Sequence, residues 1–309
     1  MNLFFIFKSV RPRQWLKNLA VFTSIIFTGQ LFNQDLVITS IKVFLIFCAI
    51  SSANYLFNDV MDANKDRKHP FKKYRPIASG AISRPAALSL SFGLLVVGIM
   101  GSLTINSTFL AIALVFALLS YSYTLFFKHF AVIDILVIAM AYFLRVYAGE
   151  AATGFHLSIW LSLAVFSLSL FLAIGKRRAE LTLIQNYPGT NPKETRSTLG
   201  HYSEKLLDTY TAMFANSTWI AYTFYTFLER PPISKWSYRT YILDTFPPDR
   251  KWLMATIPFV LFGIMRYMQL IYEGQGESPE KILTSDLPLM STVISWALVA
   301  ILIIYIIGG

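Results

Sequence analysis

The stretch NDVMDANKDRKHPFKKYRPIASG spans residues 58–80 and places acidic and basic side chains side by side. Its first half holds Asn58, Asp59, Asp62 and Asp66, and its second half is rich in lysine and arginine. A strongly apolar run precedes the stretch, and another follows it closely. The fold therefore depends on what the apolar runs form, and the function on what the charged stretch binds.

The composition is that of an integral membrane protein. Of the 309 residues, 55% are hydrophobic and only 14% are charged, whereas about a quarter of the residues in a soluble domain are charged. The net charge of +10 favours anionic partners, which at a membrane are lipid head groups or a phosphorylated substrate; we expect no nucleic acid. The single cysteine, Cys48, excludes an intrachain disulfide and a cysteine-rich metal site.

Helices are the expected spanning elements, because the apolar runs are long and lack the alternation of barrel strands. The nine candidate spans are residues 15–32, 36–57, 85–104, 107–127, 131–150, 157–175, 206–228, 252–272 and 288–307. Residues 1–14 mix aromatic and basic side chains and are expected to lie on the membrane surface. We predict an all-α integral membrane protein with nine transmembrane helices in a single polytopic domain, residues 1–309.

The distribution of basic residues predicts the orientation, because cytoplasmic loops are enriched in Lys and Arg. With the N-terminus in the cytoplasm, 20 of the 27 Lys and Arg residues fall on the inner side and five on the outer side. Residues 58–84 and residues 176–205 are then cytoplasmic loops. A site in these loops would face water-soluble substrates.

The aspartates share one face if the second span continues as a helix beyond residue 58. At about 100° per residue, Asp59, Asp62 and Asp66 lie within an arc of about 60°, with Asn58 one turn from Asp62. Like charges on one face repel unless a cation lies among them, and oxygen ligands favour Mg²⁺, with Mn²⁺ as a substitute. The pattern predicts a metal site for a diphosphate. The alternative is a solvated helix end whose acids pair with nearby bases.

The basic residues that follow are placed to contact phosphate. His69 and Pro70 are expected to end the helix, since the residue before proline avoids the helical region. Lys72, Lys73 and Arg75 would then close over a phosphate held at the metal. The alternative is the ordinary positive charge of a cytoplasmic loop, in contact with lipid head groups.

The sequence GKRRAEL, residues 175–181, ends the sixth span on the same predicted side. Lys176 and Arg177 would form a second anion site, and Glu180 would bind metal or accept a hydrogen bond from a sugar hydroxyl. The alternative is an i,i+4 ion pair between Lys176 and Glu180, worth only a few tenths of a kcal/mol.

Polar residues also occur within the spans or at their ends. Arg145 lies inside the fifth span, where a charge needs a polar cavity or a partner. Tyr121 and Tyr123 end the fourth span and would line the same cavity, unless they belong to an interfacial aromatic belt. Lys17 and Asn18 lie where the first span begins, and they either anchor the chain at the head groups or enter the polar site.

Nine spans with an NDxxDxxxD motif after the second resemble the UbiA superfamily of intramembrane prenyltransferases. Stretches similar to one branch, the decaprenyl-phosphate phosphoribosyltransferases, are RPRQWLKN (11–18), NDVMDANKDRKHPFKKYRPIASG, GKRRAEL and RYMQLIYEGQGESPEKIL (266–283). Ordinary members of the superfamily carry a second aspartate-rich motif in the loop after the sixth span, and this sequence has no DxxxD there. Its place is taken by basic residues, which suit a more highly phosphorylated donor.

The resemblance implies a UbiA-type bundle that transfers a 5-phosphoribosyl group from phosphoribosyl diphosphate to a long-chain polyprenyl phosphate and releases diphosphate. It implies Mg²⁺ dependence, a plasma-membrane location with the active site facing the cytoplasm, and a product used for arabinogalactan in the cell wall. One alternative is a UbiA-type aromatic prenyltransferase that uses an isoprenyl diphosphate. Another is a membrane transporter or lipid-binding protein. Homo-oligomerisation stays open.

Overall fold

The computed structural model describes residues 3–67, 72–185, 197–229, 251–274 and 279–307, and within these ranges the chain is helical and has no strand. The α-helices are α1 (Leu3–Val10), α2 (Thr23–Phe27), α3 (Gln34–Asp66), α4 (Arg84–Ser102), α5 (Ser107–Leu125), α6 (Ile133–Thr153), α7 (Ile159–Gln185), α8 (Glu204–Leu228), α9 (Ile257–Tyr272), α10 (Pro279–Ser285) and α11 (Leu287–Leu302). A long 3-10 helix covers Pro12–Phe22, shorter 3-10 turns cover Lys72–Tyr74, Phe127–His129, Ser197–His201 and Trp252–Thr256, and a π-helical turn at Ile303–Ile307 extends α11. The all-α prediction is confirmed.

Seven helices in the described ranges are long and apolar enough to cross a membrane. They are Gln34–Asp66, Arg84–Ser102, Ser107–Leu125, Ile133–Thr153, Ile159–Thr182, Trp252–Tyr272 and Leu287–Ile307. Large apolar side chains such as Phe92 and Leu118 are exposed on their surfaces, as expected of helices whose outer faces meet lipid tails. This is an integral membrane protein.

The expected first span, residues 15–32, is wrong as a single α-helix. The chain forms the 3-10 helix Pro12–Phe22 and then only five residues of α2. It packs there directly against α6, where a Cβ on Gly149 would lie 2.0 Å from the carbonyl oxygen of Val21. The expected seventh span corresponds to α8, which begins with the charged sequence EKLLD. Helix α8 is not one of the seven helices that are long and apolar enough to cross a membrane.

Helix α3 continues past residue 58, as the aspartate pattern required. Its 33 residues make it about 50 Å long at 1.5 Å per residue, whereas the hydrocarbon core of a bilayer is about 30 Å thick. Its last turns therefore project beyond the core and carry the acidic motif. Residues 58–66 of the expected loop 58–84 are consequently helical, and His69 and Pro70 lie outside the described residues.

The segment after α3 folds back onto that helix. Ile77 and Ile82 are buried against Leu56 and Ala63 of α3. Residues of α1 pack on the same cluster through one face, while Leu3, Phe4 and Phe7 on its other face are exposed. An exposed apolar face next to Lys8 agrees with the expectation that residues 1–14 lie at the membrane surface, which stays a prediction.

Candidate active site

The last turns of α3 place two buried carboxylates around one guanidinium group. Asp59 is 2% exposed and Asp66 is 4% exposed. One nitrogen of Arg75, Nη1, donates to Asp59 Oδ1 at 3.0 Å and to Asp66 Oδ2 at 2.7 Å. The folded-back segment therefore delivers Arg75 to the space between the aspartates, whereas its predicted role, contact with a phosphate held at a metal, stays a prediction.

A second arginine reaches the same acid from the N-terminal side. Arg11 Nη2 donates to Asp59 Oδ1 at 2.5 Å. Burial alone would lower the pKa of Arg11, but the charge of Asp59 and the hydrogen bond to it outweigh burial and raise that pKa. Arg11 adopts the left-handed conformation, with φ of 55°, which a non-glycine residue adopts at an energetic cost of about 1–3 kcal/mol. The contact with Asp59 helps to hold it there.

The third aspartate of the acidic motif has a different partner. Asp62 Oδ1 accepts a hydrogen bond from Lys128 Nζ at 2.7 Å, so the 3-10 turn after α5 pairs with it. Asn58 lies half-buried on the same helix. The pairing of acids with bases was the alternative to a metal site, and the structure shows that pairing for Asp59, Asp62 and Asp66.

A polar cavity of about 340 Å³ opens beside the carboxylate of Asp59. It is lined by Lys8, Arg11, Asp59, Tyr74, Arg75 and Pro76. Of the two lysines expected here, Lys73 is exposed, with its ammonium 5.2 Å from the ring centroid of Tyr74, and Lys72 lies close enough to interact with the charge of Asp66. The cavity is rich in positive charge and suits a phosphorylated molecule.

The donor set of this region fits a hard divalent cation. Carboxylate oxygens are the ligands that Mg²⁺ prefers, and it takes one or two of them together with phosphate oxygens of a substrate. In the described ranges no three His, Cys, Asp or Glu residues converge as a complete metal site. Asp59 and Asp66 do converge, however, on the cationic nitrogen of Arg75. A metal held by both acids would have to displace that guanidinium.

The GKRRAEL sequence forms a buried network on α7. Arg177 is fully buried, with Nε 3.2 Å from Asp134 Oδ2, and it also pairs with Glu180 at i,i+3 and donates to Tyr123 Oη at 3.3 Å. Tyr202 donates to Asp134 Oδ1 at 2.7 Å. The hydrogen bonds of Arg177 end on protein acceptors and its side chain is inaccessible to solvent, so contact with a substrate phosphate would require this network to open.

The expected pair of Lys176 with Glu180 is replaced by the pair of Arg177 with Glu180. Lys176 is half-buried on the neighbouring position and lies within electrostatic reach of Lys17. The side chain of Glu180 is 22% exposed, so Glu180 is still accessible to a ligand.

Arg145 is buried in α6 and is held by an amide. Its Nε donates to Asn18 Oδ1 at 2.7 Å, and its guanidinium lies 4.7 Å from the ring centroid of Phe116. Asn18 in turn donates to Cys48 Sγ at 3.3 Å. Partners for a buried charge were expected, and Asn18 thereby enters the interior instead of anchoring at the head groups.

In the described part of the chain, the hydroxyl groups of Tyr121 and Tyr123 bond to partners other than Arg145; a cavity shared with Arg145 stays a prediction. Tyr121 forms a hydrogen bond with Ser91 at 3.4 Å and packs against Phe57. Tyr123 contacts Arg177. Both tyrosines lie on α5, but their hydroxyl groups join elements other than the Arg145 environment.

A second cavity, of about 430 Å³, lies among the 3-10 helix, α2, α6 to α9, α10 and α11, and is almost wholly apolar. Lys17 and Glu280 are the charged residues in its described lining, and they form an ion pair with Lys17 Nζ 2.5 Å from Glu280 Oε1. Trp296 and Tyr222 border it as well, and the indole of Trp296 donates to Tyr222 Oη at 2.8 Å. Lys17 thus enters a site, which its sequence position had left undecided.

Sequence reasoning missed five residues that complete these contacts. They are Arg11, Lys128, Asp134, Glu280 and Tyr142, whose hydroxyl donates to Glu280 Oε1 at 3.1 Å. Two of them lie inside stretches that attracted attention, RPRQWLKN and RYMQLIYEGQGESPEKIL. Each meets a partner at least 43 positions away in the chain, and spacing along a sequence holds no signal for such pairs.

Residues 19–179 match the family model described as the UbiA prenyltransferase family. This chain belongs to that family. It is 32% identical over 305 residues to the decaprenyl-phosphate phosphoribosyltransferase of Corynebacterium glutamicum, covering 97% of this chain and 86% of that protein. It is 32% identical over 294 residues to the protein of the same name from Mycolicibacterium smegmatis, covering 94% and 89%.

The solved UbiA structures agree with the fold. A UbiA homolog from Archaeoglobus fulgidus, bound to GPP and Mg²⁺, superposes with a TM-score of 0.71 at 19% identity and covers 97% of this chain and 99% of that chain. A digeranylgeranylglyceryl phosphate synthase superposes with a TM-score of 0.63 at 21% identity, covering 97% and 99%. The resemblance drawn from the sequence is confirmed at the level of family and fold.

Proposed function

We propose that this UbiA protein transfers a 5-phosphoribosyl group from phosphoribosyl diphosphate to a polyprenyl phosphate and releases diphosphate. The observation that supports it most strongly is that the same segment, the 3-10 helix with the residue before it, borders both cavities. Arg11, at its start, borders the polar cavity, and Leu16 and Lys17 border the apolar cavity. At about 2 Å of rise per residue, Arg11 and Lys17 are about 12 Å apart along the segment. A water-soluble anion and a lipid could therefore meet there.

The polar cavity is suited to the donor. Lys8, Arg11 and Arg75 supply three positive charges around it, and arginine binds phosphate through parallel hydrogen bonds. Asp59 and Asp66 would hold Mg²⁺, or Mn²⁺ in its place, with Asp62 as a further ligand once it leaves Lys128. When bound, the cation supplies positive charge that stabilises the departing diphosphate.

The chain's own residues account for the rest of the transfer. The bond between C1 of the ribose and the diphosphate oxygen breaks with its electron pair on the leaving group, through an oxocarbenium-like state. A phosphate oxygen of the acceptor forms the new bond to C1 and inverts it. The acceptor is already an anion, so no general base has to remove a proton. Lys72, Lys176 and Glu180 are candidates to hold the phosphates and a sugar hydroxyl.

The apolar cavity is suited to the first part of the lipid tail. Its volume of about 430 Å³ is in the range of pockets that enclose drug-sized ligands. A long polyprenyl chain exceeds that volume, so its remainder would leave the cavity between helices and lie in the bilayer. The names of the two bacterial relatives support both substrate classes.

We further propose nine membrane crossings with the N-terminus in the cytoplasm. The 11 residues of the 3-10 helix and the five of α2 together extend about 30 Å, which is the thickness of the hydrocarbon core. Helix α8 has 25 residues and would be the seventh crossing. The excess of basic residues on the proposed inner side supports this orientation. The product would then form at the cytoplasmic face of the plasma membrane and serve cell-envelope synthesis.

A second candidate is transfer of an isoprenyl group from its diphosphate. The apolar cavity favours it equally well, and the Archaeoglobus neighbours were solved with GPP or DMAPP and Mg²⁺. Such a donor needs fewer basic contacts than phosphoribosyl diphosphate, which is phosphorylated at two ends. The concentration of Arg11, Arg75 and Lys8 around one cavity therefore favours the first proposal.

The test uses purified protein in lipid nanodiscs with labelled phosphoribosyl diphosphate. We expect label to appear in an extractable lipid only when polyprenyl phosphate and a divalent metal are both present. Asp59→Asn should reduce the rate at least about 100-fold, whereas Asp35→Asn at the opposite end of α3 should not. Transfer that is absent, or that is equal in the two variants, would refute the proposal.

A further inference from the structure

Glu280 is a buried acid at the wall of the apolar cavity and is 5% exposed. Three side chains hold its carboxylate. Lys17 Nζ lies 2.5 Å from Oε1, Tyr142 Oη donates to Oε1 at 3.1 Å, and Gln14 Nε2 donates to Oε2 at 3.4 Å. Its helix, α10, also contributes Pro279 to the cavity lining. Glu280 is thus held in place next to Lys17, the other charged residue of the described cavity lining.

The surroundings of this ion pair are positive overall. Arg11, Arg145 and Lys176 all lie close enough to interact with the charge of Lys17, whereas Glu280 is the anion that contacts its ammonium. An apolar cavity that ends in an excess of positive charge fits an amphiphile with an anionic head. Within that charge pattern, such a head would bind against the ammonium of Lys17, next to the carboxylate of Glu280.

We propose that Lys17 binds the phosphate of the lipid acceptor beside the Glu280 carboxylate, and that Glu280 restricts the head group to a monophosphate. This inference rests on the proposed function for the identity of the lipid. On binding, the ammonium of Lys17 exchanges the carboxylate for a phosphate oxygen. Tyr142 and Gln14 keep Glu280 in the wall, so its charge stays beside the new anion.

Charge then sets the specificity. A monophosphate ester carries a charge of about −1.5 to −2 near neutral pH, and the surrounding bases balance it together with the carboxylate. A diphosphate adds further negative charge next to Glu280, in a site whose low polarity strengthens repulsion. A repulsive element of this kind rejects a competitor that attractive contacts alone would accept. The product lipid, which gains a phosphorylated sugar, would also be pushed from the site.

The experiment measures dissociation constants of polyprenyl monophosphate and polyprenyl diphosphate of equal chain length, on the full chain in nanodiscs without donor. We expect the wild type to bind the monophosphate at least about tenfold more tightly. Glu280→Gln keeps the shape and an acceptor for Tyr142 but removes the charge, and it should reduce that preference about tenfold. Glu273→Gln removes an exposed acid outside the cavity lining and should leave the preference unchanged.

The inference would be overturned if Glu280→Gln left the ratio of the two dissociation constants unchanged, or if Glu273→Gln changed that ratio equally. If Glu280→Gln does not fold, Glu280→Asp serves instead, because it keeps the charge and should keep the preference while both lipids bind more weakly. A lost preference in that variant would also overturn it.

Lipid binding is read without donor, so the result is separate from the transfer reaction. A charge-dependent preference with no phosphoribosyl transfer would refute the proposed function alone. Transfer with no effect of Glu280 on the ratio would refute this inference alone.

Discussion

Replacing Arg75 by glutamine tests the acid–base arrangement at the end of α3 most sharply. In the folded protein, Arg75 Nη1 bridges Asp59 and Asp66, both nearly inaccessible to water. The variant Arg75→Gln removes that bridging charge and leaves two carboxylates facing each other. Arg11 still neutralises Asp59 from the other side, so the acid left without an arginine contact is Asp66.

The magnitude follows from burial and distance. Opposite charges 4 Å apart attract by about 4 kcal/mol at an effective dielectric constant of 20. Removing one partner of a fully buried pair costs about 3–5 kcal/mol. The side chain of Arg75 is 26% exposed, which weakens the pair, and Arg11 compensates in part. We therefore expect a loss of about 2–3 kcal/mol in the free energy of unfolding without divalent metal.

Metal should reverse part of that loss. Because the guanidinium no longer competes for the carboxylates, Mg²⁺ should bind Arg75→Gln more tightly and stabilise it more than it stabilises the wild type. The assay is thermal unfolding in detergent, with Mg²⁺ titrated from zero. Lys65→Gln is the matched control, since it removes an exposed charge from the same helix. An unchanged melting temperature without metal, or the same Mg²⁺ response in all three proteins, would refute the reasoning.

Other perturbations give distinct outcomes. Arg177→Gln leaves fully buried Asp134 without its ion-pair partner and should cost about 3–5 kcal/mol in thermal unfolding; a cost below 1 kcal/mol would contradict the network. Gly149→Ala should lower the free energy of unfolding by about 3 kcal/mol or more, because the added Cβ meets the backbone of Val21. The control Gly93→Ala has open space around its Cβ and should be neutral or stabilising. Similar melting temperatures for the two variants would contradict the close contact at Gly149. Gly263→Leu should project into the apolar cavity and raise the KM for polyprenyl phosphate about tenfold without changing the KM for the donor; equal changes would contradict the assignment of that cavity. Chelation of divalent metal should abolish transfer, and Mg²⁺ or Mn²⁺ should restore it; activity in chelator would contradict the metal role.

The spanning helices could be predicted because apolar length alone determines them. Seven of the nine expected spans correspond to long apolar helices in the described residues. The first span differs because Gln14, Lys17 and Asn18 bond to residues of other elements, and the segment packs against the bare backbone at Gly149. Local sequence pattern reports neither effect, since both depend on what a neighbouring helix presents.

The candidate site likewise contains contacts between residues near in sequence, which could be predicted, and contacts between distant residues, which could not. Asp59, Asp66 and Arg75 lie within 17 positions of one another, so helical periodicity and the following turn predicted that they lie near one site, although not that Arg75 pairs with both acids. The ion pair of Lys17 with Glu280 joins residues more than 260 positions apart, and only the packing of α10 on the 3-10 helix creates it. The same holds for Arg177 with Asp134, which turned an expected phosphate ligand into a residue held by protein acids.

The central claim is that the donor is a phosphorylated sugar and the acceptor a lipid phosphate. The most direct test gives the same purified protein two substrate pairs in parallel: phosphoribosyl diphosphate with polyprenyl phosphate, and an isoprenyl diphosphate with an aromatic acceptor, each with Mg²⁺. The account predicts metal-dependent formation of polyprenyl-phosphoryl-5-phosphoribose from the first pair and no product from the second. Product from the isoprenyl pair, with none from the phosphoribosyl pair, would contradict it.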